Sequence, residues 1–301
     1  TPAARSGEGL MIESYDDGSA DGSIITFGTV TGDATVQRYI NGDEWHLVSS
    51  PVAAEVSNVF YQCYLREWDE TTSNWGEIIP TVTPLVPMAG YAIYSSSDPS
   101  TGTGDTTTQY IGELNTGAQT FPLSYSGGAN GWNFPGNPYP STLDWDAAGW
   151  DKSGLAFNTL YIWDPGLGAY KTYNPNTPSS NTGTQYIPPM QGFLVDANAS
   201  VALDVDNAAR THHTTPFYKD APEFSDYVTI AISSETNSSD AVIYFNENAT
   251  AGLDFDYDGR KLFGDYVDVF TMVDNNYMAI NTLRTPIESP AVALGFTTDI
   301  S

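Results

Sequence analysis

The sequence predicts an all-β protein: a duplicated, Trp-rich β-module followed by an Ig-like β-sandwich, elongated as a whole. Three observations predict it. Short runs of β-branched and aromatic residues recur along all 301 residues, punctuated by Gly, Pro, Asn and Asp. Three clusters of aromatic and Pro-Gly residues occur twice in the same order. After residue 220 this pattern gives way to plain strands of five to seven residues.

Residues 1–40 read as an N-terminal β-stretch, a meander or the end of a solenoid. Its strands are Leu10–Ile12, Ser23–Phe27 and Ala34–Ile40. Asp17-Gly18, Asp21-Gly22, Gly32-Asp33 and Asn41-Gly42 are tight-turn signals between them.

The duplicated module spans 41–221, in units of about 41–108 and 109–221. Trp45…Pro51 matches Trp132…Pro138, 87 residues on. Leu65…Asp69 matches Leu160…Asp164 at an offset of 95, and Trp75 matches Tyr170 at the same offset. Pro87…Tyr94 matches Pro189…Asp196 at an offset of 102. Each unit therefore opens on a Trp-bearing strand and continues through a Pro-led segment. A hairpin ending in Trp-Asp and a Pro-x-x-Gly-aromatic strand complete it. Ser141-Thr142-Leu143-Asp144 has capping-box spacing and predicts a short helix start in the second unit.

Residues 222–301 carry five strand-like runs, starting near Tyr227, Asp240, Tyr266, Tyr277 and Ala291. They read as a β-sandwich.

Composition limits function. The chain carries 37 acidic and 10 basic residues, a net charge of −27. A field of that sign repels nucleic acid and anionic membrane, so neither is expected as a partner. No apolar run is long enough to span a bilayer. A single cysteine, Cys63, allows no intrachain disulfide and reads as a small buried hydrophobe. His46, His212 and His213 are the only histidines, and adjacent residues of an extended chain point opposite ways. The sequence lacks the HExxH, G-x-S-x-G, P-loop and G-x-G-x-x-G motifs, and no catalytic residue is assigned.

The sequence offers two candidate sites, each beside a plainer reading: a polar turn whose acids pair with Arg260 and Lys261, and an amphipathic turn that packs on its own unit. Asp254, Asp256 and Asp258, then Gly259 and Asp265, carry acids at positions 1, 3, 5 and 12 and a Gly at 6. A Ca²⁺ loop needs that spacing, and Ca²⁺ is the one cofactor the sequence suggests. The matched aromatics are assigned to a shared core. Trp145 and Trp150 have no counterpart in the first unit, and with Tyr139 they are the candidate polysaccharide-binding platform.

Trp132…Trp145 (Trp-Asn-x-x-Gly-Asn-Pro-Tyr-Pro-Ser-x-x-Asp-Trp), Ile187…Phe193 and Asp240…Thr250 resemble modules of Bacteroidetes surface and secreted proteins. Those modules lie upstream of the C-terminal sorting domain read by the type IX secretion system. The resemblance runs from about Gly9 onward. It implies export to the cell surface or medium, with contact to the secretion machinery, and supplies no catalytic residues. Here a sorting domain would lie beyond Ser301 or have been removed. The expected function is a structural or adhesive module of a cell-surface protein: a stalk, filament or adhesin segment that packs with other copies or modules. A carbohydrate-binding module and the accessory tail of a secreted hydrolase are the alternatives.

Overall fold

The computed structural model is all-β. It describes residues 9–298 apart from 16–20, 29, 79–80, 99, 101, 129–130, 214–223, 265 and 286–290. The only helical turns among the described residues are two short 3-10 segments, Ser57–Phe60 and Asn207–Ala209. None of the described helices is long and apolar enough to cross a membrane.

The N-terminal stretch is not a separate element. Strand Asp33–Ile40 pairs along its whole length with Thr106–Glu113, a strand on the far side of the first unit. Ile12, Ala34, Val36 and Ile40 share one core with Val48, Phe60, Leu65, Ile93 and Tyr110. The first unit therefore begins before residue 41 and ends after 108. Ser23–Phe27 is not a strand. It docks on the second unit instead, where the Ile24 amide donates to the Pro140 carbonyl and Arg210 Nη2 to the Ile24 carbonyl.

Strands Trp45–Val48, Tyr91–Tyr94, Tyr64–Asp69 and Asn74–Ile78 form one four-stranded sheet in that order. Its hairpin pairs Leu65 with Ile78 and Trp68 with Trp75. In the second hairpin Leu160 pairs with Tyr173 and Trp163 with Tyr170, the same register 95 residues on. Trp45 pairs with Tyr94, and Trp132 with Asp196. Arg66 faces Ala92, and Tyr161 faces Leu194.

The units interlock through contacts exchanged at matched positions. The Gly192 amide donates to the Leu47 carbonyl and the Gly90 amide to the Phe134 carbonyl, both at 2.9 Å. The Ser49 amide donates to the Met190 carbonyl and the Gly136 amide to the Met88 carbonyl. Met88 and Met190 both take positive φ, 62° and 58°, which turns those carbonyls toward the other unit.

The expected helix start at Ser141 is instead a strand, Thr142–Asp144, paired with Tyr186–Ile187 and Arg210–Thr211. Leu143 and Trp145, two residues apart, are both fully buried, and that period of two suits a strand.

The five strand runs after 222 all form. They join one six-stranded sheet with Gly259–Arg260 rather than two stacked sheets. Within it Ser238–Phe245 runs parallel to Asn276–Leu283. This sheet docks on the second unit. Asp196, wholly buried, takes a two-pronged ion pair from Arg260. Thr159 Oγ1 donates to the Asp258 carbonyl at 2.8 Å, and the Asn181 amide to Asp240 Oδ1 at 2.7 Å. The boundary expected near residue 222 lies outside the described residues.

Candidate functional site

All six aromatics that recur between the units meet at their junction. Trp45, Trp68, Trp75, Trp132, Trp163 and Tyr170 are half-buried around a floor of Leu47, Ala92, Phe134, Tyr161 and Leu194. Two of the tryptophans are anchored reciprocally. Trp68 Nε1 donates to the Trp132 carbonyl at 2.6 Å, and Trp163 Nε1 donates to the Trp45 carbonyl at 3.1 Å. Each indole is thus held by the opposite unit, with its polar atom spent and its ring edge fixed. The hairpin rings pack edge to face, Trp68 on Trp75 at 5.2 Å and Trp163 on Tyr170 at 5.1 Å.

Trp45 and Trp132 each lie under a guanidinium. Arg66 covers Trp45 at 4.8 Å from its own hairpin. Tyr161 stands where Arg66 would be in the second unit, and Arg260 of the C-terminal sheet covers Trp132 at 5.4 Å. Arg260 of the C-terminal sheet thus covers the Trp132 side of the junction, while the Trp163 side, edged by Phe263, holds open cavities.

On the open side Trp163 is the wall between two adjoining cavities. One, of about 290 Å³, is lined by Trp45, Trp75, Tyr170, Arg66 and Phe263. The other, of about 220 Å³, is lined by Asp164, Lys171, Arg38, Thr184 and Gln191. The lining cations are paired: Lys171 with Asp164 at 2.7 Å, Arg38 with Asp21 at 2.6 Å, Arg66 with Glu77 at 3.2 Å. Thr184 Oγ1 is buried and has no hydrogen-bond partner.

The platform expected at Tyr139, Trp145 and Trp150 is corrected by burial. Tyr139 and Trp145 are both 0% exposed. The Tyr139 hydroxyl donates to the Gly117 carbonyl, and Arg210 lies over its ring. Trp145 packs against Trp150 and Phe193 beneath Lys152 Nζ, 4.4 Å from its ring. Burial lowers that ammonium to about 8. Trp150 is half-buried, with Nε1 donating to the Asp144 carbonyl. The extension unique to the second unit is its core.

In the acidic loop, Asp258 is fully buried and both its oxygens accept backbone amides, from Thr282 at 2.7 Å and Asp254 at 2.8 Å. Asp254 Oδ2 accepts the Thr250 amide. Asp256 is exposed, and its carbonyl accepts from Asn176. Asp265 lies outside the described residues. No group of three or more metal-ligating side chains occurs among the described residues.

His212 contacts Ser23 Oγ, and His213 stacks on Tyr186 at 3.9 Å, so the two imidazoles have separate partners. Cys63 is buried, which pushes its thiol up.

A family described as a domain of unknown function, DUF8693, matches residues 20–301. No curated protein and no solved structure matches the chain.

Proposed function

The chain belongs to the DUF8693 family, and we propose that it is a non-catalytic, extracellular structural or adhesive module of a cell-surface protein, exported by a type IX-like system. The observation that carries the reading is the reciprocal interlock. Backbone amides and indole N–H groups cross between the units in matched pairs, and a buried ion pair fastens the C-terminal sheet to the second unit. Segments tied in this way share load instead of peeling apart one by one, as a stalk or filament segment requires. The charge of −27 suits an exported surface, because it opposes nonspecific association.

Antibody labelling of intact cells tests this. The expected result is surface labelling that protease shaving removes and that disappears when the secretion machinery is deleted. Protein retained wholly inside wild-type cells contradicts the proposal.

A further inference from the structure

We propose that the open side of the unit junction, the paired cavities flanking Trp163, is a binding site for a neutral saccharide. The inference extends the adhesive reading but stands on its own observations.

A sugar ring presents apolar C–H faces and, around its rim, hydroxyls that each donate and accept. The first cavity offers aromatic rings at Trp75, Trp163 and Tyr170, beside Trp45 under its Arg66 cover. Their negative π-faces attract the slightly positive C–H face of a sugar. The rings are preorganised. Trp163 is held by the hydrogen bond to the Trp45 carbonyl and by its edge contact with Tyr170, so little ordering remains for binding to cost.

The second cavity offers charged and polar groups. Lys171 and Asp164 both line it and set a donor beside an acceptor, while Arg38 there and Arg66 next door are donors whose charges are balanced by Asp21 and Glu77 outside the lining. These groups answer hydroxyls. Their local charges cancel, and the remainder of the chain is strongly negative, so an acidic sugar finds no net attraction. At about 290 and 220 Å³, the two cavities together fall within the range of small-molecule sites.

The test is calorimetric titration of the purified chain with soluble neutral glycans, namely mannan, β-1,3-glucan, xylan, galactomannan and starch, against anionic polygalacturonate. At least one neutral glycan is expected to bind and to change tryptophan fluorescence. Trp163→Ala is expected to weaken binding tenfold or more, and Arg66→Met and Lys171→Met by several fold. Trp150→Phe, on the far core, is expected to leave it unchanged. Trp163 also packs in the junction, so Arg66→Met and Lys171→Met, which keep the side-chain length, keep the result decisive if Trp163→Ala misfolds. No binding across the neutral panel overturns the proposal. So does binding confined to polygalacturonate, or neutral binding that the Arg66 and Lys171 variants leave intact. Titration in solution is independent of cellular location, so a failure here leaves the surface-module reading standing.

Discussion

Asp258 shows how burial sets a side chain's chemistry. Its carboxyl is raised to about 7. Desolvation is the main cause, opposed by the amides of Thr282 and Asp254 and reinforced by the Asp254 carboxylate. In the unfolded chain the group titrates near 3.8. The folded state thus holds the proton to higher pH, and the associated stability is complete below pH 3.8 and lost as pH rises through about 7. Asp258→Asn lacks this proton. Between pH 5 and 8 the wild-type melting temperature should therefore fall further than the variant's, and equal slopes would contradict the assignment. The tryptophans show what was legible at this scale. Recurrence correctly drew six aromatics into one cluster, because matched side chains in interlocked units meet. Exposure was not encoded: the unmatched Trp145 is the most buried of all, since a residue without a counterpart can equally fill its own unit's core.

Hairpins were the most legible elements. Trp-Asp followed by a polar turn fixes a local register, and both copies pair alike. The exchange between units left no spacing signal, since Val48 meets Gln191 and Ala89 meets Pro135 across long stretches of chain. The glycine of each Pro-x-x-Gly strand was the one local trace. A Cβ on Gly90 would stand 2.5 Å from the Phe134 ring, and one on Gly192 would stand 2.8 Å from that ring and 3.1 Å from the Leu47 backbone. Gly90→Ala and Gly192→Ala should each cost about 1–3 kcal/mol in urea denaturation. Gly76→Ala, whose Cβ meets nothing nearer than 3.7 Å, should be neutral or slightly stabilising. If all three variants behave alike, the junction is not packed as described.

At the scale of the whole molecule, the change of pattern after residue 220 marked a new sheet but not its docking. That docking rests on Arg260, which reaches out of the C-terminal sheet to the buried Asp196 and covers Trp132. Arg260→Ala strands a buried carboxylate and should destabilise by about 3–5 kcal/mol. Arg260→Met with Asp196→Leu should recover most of that loss, as calorimetry can establish. The seven tryptophans all lie between residues 45 and 163, whereas strands of every segment contribute to far-ultraviolet circular dichroism. Urea unfolding followed by both signals therefore tests directly whether the units and the C-terminal sheet form one interlocked body. Superimposable transitions with a single midpoint are predicted, and a circular dichroism transition well separated from the fluorescence transition would contradict the interlock.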